Sequence, residues 1–596
     1  MTKNINQKFL FYTGKGGVGK TTLACAMAVK LADEGKRVLL ISTDPASNLK
    51  DVLDAEIGET IQQHPKSANL HMVNIDPEKS AQEYRSRVLE PLKATTSAQD
   101  LNKIEEGLSG ACTTEIASFD EFARFITGEG DVEDIDVVIF DTAPTGHTIR
   151  LLELPAAWDT FLEDNPQGAS CIGPSSALKS SKERYKRVID NLRDPNKTVF
   201  HLVARSDNPS LKEAARTSLE LKELGFSNQK ISINGVFSAL DTTDVLAKKM
   251  QANAQHNLSN LPEALRAMQR HDYPLLPYNI LGIQKLKSIY DKQLQEKIIT
   301  SLTDHNEYEA AENKTIKALV DEIENANDKG LIMTTGKGGV GKTIVAASIA
   351  TLLAQRGQKV LLTTTDPAAH VNDFINQLDH LPETLDVERI DPKVETKIYT
   401  DKILKQKGKN LDAAERNLLE EDLKSPCSEE VAVFSAFSKA IHKAKRQYVV
   451  MDTAPTGHTL LLLDTTGSYH KEVMKSTQLD PSRISTPYMS LQDGDFAKIL
   501  LVALPETTPM REAKDLQNDL KRAGIEPHAW VINQSLSILE GLQDPILVKR
   551  AQAEVAIIHQ IKNKIAQDTF LLPYIAEDQL LPAIVRLYGE KGSVNS

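Results

Sequence analysis

Short unbroken apolar runs recur along the chain, each followed by a longer stretch with helical spacing of small apolar residues. Phe9-Leu10-Phe11-Tyr12 leads to an Ala-rich pattern from Thr22 to Asp33, then to Arg37-Val38-Leu39-Leu40-Ile41. Leu331-Ile332-Met333 leads in the same way to Ile344 to Gln355 and then Lys359-Val360-Leu361-Leu362-Thr363. Further runs are Val137-Val138-Ile139-Phe140, Thr198 to Val203 and Ile231 to Val236, and later Tyr448-Val449-Val450-Met451, Lys498 to Leu504 and Ala529 to Asn533. Strands that are apolar on both faces and alternate with helices belong to parallel sheets covered on both sides. The pattern therefore predicts an α/β chain built from doubly wound, mostly parallel sheets.

The pattern also repeats. Lys20 and Lys342 are separated by 322 positions, as are Asp44 in Ser42-Thr43-Asp44-Pro45-Ala46 and Asp366 in Thr364-Thr365-Asp366-Pro367-Ala368. Asp141-Thr142-Ala143-Pro144-Thr145-Gly146-His147-Thr148 recurs 311 positions on as Asp452-Thr453-Ala454-Pro455-Thr456-Gly457-His458-Thr459. A period this long marks two tandem homologous domains, not a solenoid. We place them at residues 1–301 and 331–596, joined by an acidic, partly helical linker at 302–330. Polar Glu/Lys-rich stretches at roughly 80–130 and 395–445 are too long for plain loops and read as inserted helices.

Composition narrows the function. A net charge of −12 lacks the basic excess of a nucleic-acid binder. No run reaches the roughly 18 apolar residues of a spanning helix, and the first residues have no apolar signal core, so a soluble cytoplasmic protein is expected. Four cysteines, none in a C-x-x-C spacing, argue against a disulfide framework or a local zinc knuckle.

Between each first strand and its helix stands a G-x-x-x-x-G-K-[ST] loop, Gly14-Lys15-Gly16-Gly17-Val18-Gly19-Lys20-Thr21-Thr22 and Gly336-Lys337-Gly338-Gly339-Val340-Gly341-Lys342-Thr343-Ile344. Backbone N–H groups of such a loop and of the following helix cradle phosphates. In this P-loop NTPase chemistry Lys20 and Lys342 bridge the β- and γ-phosphates of ATP. Thr21 and Thr343 place a hydroxyl on Mg²⁺, and the strand-end Asp141 and Asp452 hold a metal-bound water. Asp44 and Asp366, at a strand end beyond the phosphates, suit the orientation of attacking water, although an Asp-Pro pair can also simply begin a turn. Asn234 and Asn533 end late strands, where an amide can read an adenine edge or merely cap a turn. Ile344 stands where the first copy has Thr22, so the two ATP sites are expected to differ.

The early lysine of each loop, Lys15 and Lys337, resembles that of the deviant Walker A class, in which it reaches across an interface to the partner's nucleotide. Taken together, the loop, the S/T-T-D-P-A motif and the D-T-A-P-T-G-H-T motif, each present twice, resemble the arsenical pump-driving ATPase family over nearly the whole chain. That resemblance implies a soluble ATP hydrolase with Mg²⁺, stimulated by As(III) or Sb(III), which couples hydrolysis to arsenite or antimonite efflux. It implies an integral-membrane efflux subunit as partner and an intramolecular pseudo-dimer of the halves, peripheral to the inner face of the membrane. An arsenic metallochaperone is a further partner in view. The family also supports adenine contacts by Asn234 and Asn533 and by the similar segments around Pro277 and Pro573. It further implies signal transmission through His147 and His458.

Cys25 lies in an apolar helical pattern and reads as core packing. Cys112 and Cys427 occupy corresponding places 315 positions apart, whereas Cys171 has no counterpart. The residues alone leave open three unrelated structural thiols or one site of three soft thiolates, which suits a soft three-coordinate ion. The family implies the latter, a metalloid site at Cys112, Cys171 and Cys427. The competing reading is a guided-entry-type ATPase that targets tail-anchored membrane proteins. Such factors resemble this chain in the same motifs but are usually single-copy homodimers, often with a C-x-x-C zinc clasp. A partitioning ATPase fits less well, because the residues from Arg586 to Ser596 are polar, not a membrane-binding tail.

Overall fold

A computed structural model describes residues 6–43, 49–90, 93, 101, 105, 111–129, 132, 134–142, 168–169, 173–174, 182–303, 313–366, 371–407, 423, 426–453, 486–577 and 579–589. The chain divides into two compact units, Met1–Thr242 with Met250–His305, and Thr243–Lys249 with Asn306–Ser596.

The sheet of the first unit comprises β1 (Phe9–Thr13), β2 (Val38–Ser42), β3 (Gln62–His64), β4 (Ser67–Asn74) and β5 (Val137–Asp141). It continues, after a separate two-residue antiparallel pair, β6 (Gly168–Ala169) and β7 (Gly173–Pro174), with β8 (Thr198–Ala204), β9 (Gln229–Val236) and β10 (Gln269–Pro274). Its order is β10-β9-β8-β1-β5-β2-β4-β3, parallel throughout except for the β3–β4 pair. The second sheet comprises β11 (Gly330–Thr335), β12 (Val360–Thr364), β13 (Leu385–Arg389), β14 (Tyr448–Asp452), β15 (Ala497–Ala503), β16 (Ala529–Ser535) and β17 (Thr569–Pro573). Its order, β13-β12-β14-β11-β15-β16-β17, is wholly parallel and matches the run β4-β2-β5-β1-β8-β9-β10 of the first sheet; β3, the antiparallel edge strand, has no counterpart among the described residues. The doubly wound α/β class and its duplication are thus present in the topology as well as in the motifs.

Alternation along the central strands divides the core. On β1, Phe9 and Phe11 join one buried cluster and Leu10 and Tyr12 the other. On β11, Ile332 faces one cluster, while Leu331 and Met333 face the other. Successive strand side chains point to opposite faces, so a run apolar at every position needs helices on both sides. Those used below are α1 (Lys20–Asp33), α2 (Ala111–Thr127), α3 (Asn208–Glu223), α4 (Lys342–Gln355), α5 (Pro426–Lys443), α6 (Thr507–Arg522) and α7 (Pro545–Lys564).

Helices α1 and α4 begin two residues earlier than the apolar pattern indicates, because the left-handed Gly19 and Gly341 end each loop and start the helix within the motif. The inserted stretches contain the helices Pro77–Leu89 and α2, and Pro392–Lys407 and α5. Within the segment read as a linker, helix Ile316–Ala326 buries Ile316, Leu319, Val320 and Ile323 in the core of the second unit. Their i, i+3, i+4, i+7 spacing is that of one helix face, so this part of the segment is an element of that unit.

Candidate nucleotide site

Both phosphate loops leave the C-terminal end of the middle strand of their sheet, where ligands bind in open α/β folds. Two glycines per loop have no substitute. A Cβ on Gly14 would stand 2.3 Å from the Val203 carbonyl oxygen, and one on Gly336 2.4 Å from that of Val502. At Gly19 and Gly341, with φ of +91° and +90°, a Cβ would meet the Asn234 and Asn533 Nδ2 atoms at 2.1 Å.

Those two asparagines brace the loops. Asn234 Nδ2 donates to the Val18 carbonyl and Asn533 Nδ2 to the Val340 carbonyl, each at 2.9 Å. Sequence reasoning weighed adenine recognition against a turn cap for them and missed this bond to the phosphate loop. Pro573 ends β17 opposite Ser535 of β16, two residues beyond Asn533, and buried Pro277 follows β10 in the first unit.

The remaining chemistry converges at the same strand ends. Lys20 and Lys342 are buried, and their Nζ atoms donate to the Lys15 and Lys337 carbonyls at 3.3 and 3.0 Å. Thr142 and Thr453 tie the acidic strand end to its neighbour, their hydroxyls donating to the Tyr12 and Thr334 carbonyls at 2.9 and 2.8 Å. In the second unit Thr343 donates to Asp452 Oδ2 at 2.8 Å, and Thr364 does so at 3.4 Å. Burial pushes the Asp452 carboxyl up to about 6, against the pull of Lys342 and the Thr343 bond, and the nearby Asp366 charge raises it further. Asp366 itself follows β12, whose Thr364 lies beside Asp452 in register. Lys15 is exposed, whereas Lys337 forms an ion pair with Glu512 of α6.

The sequence compares with known proteins accordingly. The family model described as anion-transporting ATPase matches residues 7–295 and 329–487. The chain belongs to the anion-transporting ATPase family. It is 48% identical over 571 residues to the "Arsenical pump-driving ATPase" of Escherichia coli, covering 96% of both chains. It is 33% identical over 604 residues to the "Putative arsenical pump-driving ATPase" of Halobacterium salinarum, covering 96% of this chain and 92% of that one. The "ATPase GET3" of Kluyveromyces lactis is 31% identical over 336 residues, 94% of its own length but 50% of this chain. The duplicated organisation thus accompanies the arsenical pump-driving relatives, and the chain is an ATP hydrolase.

The residues of this ATPase fit Mg²⁺ with ATP. Asp452 Oδ1 is buried without a hydrogen-bond partner while Oδ2 takes the Thr343 hydroxyl, leaving one carboxylate oxygen for a hydrated cation. The second unit also shows what Ile344 does: it is 6% exposed and packs into the core beneath the loop, where the first unit has a partly exposed Thr22.

Cys25 is buried and free, and burial, aided by the Asp141 charge, pushes its thiol well above the ordinary range, as suits a packing residue. Cys112 and Cys427 are each the second residue of their helix, α2 and α5. Asp44, His147, Cys171 and His458 lie outside the described residues. Glu512 was also missed by sequence reasoning. It stands 299 positions from Glu213 within matching Glu-Ala pairs, the same separation as Asn234 and Asn533, so extending the repeat alignment past the motifs would have found it.

Proposed function

We propose that this ATPase is stimulated by trivalent arsenic or antimony and drives arsenite or antimonite efflux through an integral-membrane partner. The observation that carries the reading is the matched placement of Cys112 and Cys427, second in helices α2 and α5, in a chain so similar to arsenical pump-driving ATPases. With Cys171 they supply three soft donors for a soft ion. The first turn of a helix favours a thiolate.

At each nucleotide, loop amides and Lys20 or Lys342 bind the phosphates, and Thr21 with Asp141, or Thr343 with Asp452, holds Mg²⁺, which offsets charge on the transferring group. Asp44 or Asp366 orients the attacking water, and Lys15 or Lys337, reaching from the other half, stabilises charge as it develops. Asn234, Pro277, Asn533 and Pro573 border the adenine. The motifs containing His147 and His458 link hydrolysis to the thiolates. Metalloid binding favours the closed pseudo-dimer only through higher affinity for it. Among the described residues no helix is long and apolar enough to cross a membrane, so transport calls for a membrane subunit; a metallochaperone is a second partner to seek.

Purified full-length protein assayed for ATP turnover with and without arsenite or antimonite tests this reading. Stimulation supports it; equal turnover together with capture of hydrophobic helices would favour the guided-entry alternative.

A further inference from the structure

The two phosphate loops agree from Gly14 to Thr21 and from Gly336 to Thr343, yet their early lysines differ in setting. Lys337 is ion-paired to Glu512, with side chains only 21% and 14% exposed. Lys15 is exposed, and no ion pair is recorded for it among the described residues. The difference is encoded on the helix. Glu213 of α3 is the counterpart of Glu512, and it pairs with Arg216 one turn on, at 2.6 Å. Asp515 takes the place of Arg216 on α6, 299 positions later. A carboxylate one turn from Glu512 repels it where an arginine would hold it. Met510, Ala513 and Leu516 anchor that face of α6 in the core, so Glu512 is presented from a fixed element.

We infer that Glu512 is a positioning residue for the second phosphate loop, holding Lys337 within its own unit and withholding it from the other half's nucleotide. This rests on the reading of Lys337 as a lysine that acts across the halves. The pair must break before Lys337 extends, and two largely buried charges part less readily than two exposed ones. Among the described residues Lys15 carries no such restraint, so the two lysines engage with unequal ease, and basal turnover is limited by the release of Lys337.

The test begins with the nucleotide-free full-length chain and an amine-acylating reagent, with labelling at Lys15 and Lys337 read by mass spectrometry. In the parent, Lys15 reacts faster. Glu512→Gln removes the charge and Asp515→Arg offers Glu512 the partner that Glu213 has. Each is expected to raise the Lys337 rate by about twofold to fivefold, the upper part of the span for a single ion pair, and to leave Lys15 unchanged. ATP turnover without metalloid should rise by a similar factor in kcat with KM unchanged, and the rise should vanish in a Lys337→Ala background. Unchanged Lys337 labelling in both variants overturns the inference, as does faster labelling with unchanged or lower kcat. Failure of metalloid to stimulate the parent would remove the proposed function, while the labelling arm would still report on the restraint.

Discussion

Glu554 of α7 offers a prediction whose sign and size follow from its surroundings. It is 6% exposed, and its Oε2 accepts from Ser535 Oγ at 3.1 Å, Leu536 N at 2.7 Å and Ser537 N at 3.0 Å, fixing the turn that follows Asn533. Burial outweighs these bonds and the Arg550 charge and pushes the carboxyl from 4.5 up to about 7. At 1.36 kcal/mol per pH unit, that displacement corresponds to about 3 kcal/mol. Because the folded value is raised, the contribution is fully present below about pH 4.5, declines as pH rises through about 7, and is absent above. Glu554→Gln should therefore stabilise the second unit by about 2 to 3 kcal/mol at pH 8 and by under about 1 kcal/mol at pH 5. Of the two tryptophans, Trp158 and Trp530, the latter is buried in the second unit, so denaturant unfolding in a Trp158→Phe background reports on that unit. A gain of equal size at both pH values, or a loss at pH 8, would refute the argument that desolvation dominates.

Gly19→Ala or Gly341→Ala should displace the bracing asparagine and weaken ATP binding by about tenfold or more, measured by titration calorimetry, because the new Cβ collides at 2.1 Å on a left-handed backbone. Lys15→Ala or Lys337→Ala should slow hydrolysis far more than it weakens binding; equal loss of both would contradict a role across the halves. Asp120 of α2 is 3% exposed and ion-paired to Arg87 at 2.7 Å and to Arg184. Asp120→Ala should destabilise the first unit by about 1 to 2 kcal/mol, because Arg184 keeps only Glu129 as a partner while the exposed Arg87 returns to water, seen as a lower unfolding midpoint.

The central strands were legible because β1, β2, β5, β11, β12 and β14 are buried at every position and so are written as unbroken apolar runs. The outer strands were not. On β13 only Leu385 of five residues is buried, and on β3 only His64 of three, so neither produces a run. The phosphate loops were legible because a single stretch holds their chemistry. The asparagine braces and the Lys337–Glu512 pair were not, because they join residues 216, 193 and 175 positions apart, which no local window connects. Helix Ile316–Ala326 carried a clear apolar face, but the acidic residues around it suggested a linker.

The central claim, that metalloid bound by Cys112, Cys171 and Cys427 governs ATP turnover, is tested most directly by the ratio of turnover with saturating antimonite to turnover without it. Serine at any of these three positions is expected to bring the ratio close to one with basal turnover retained, while Cys25→Ala keeps the parent ratio. A ratio of one in the parent, or a ratio lost on Cys25→Ala and retained in the three serine variants, would contradict it.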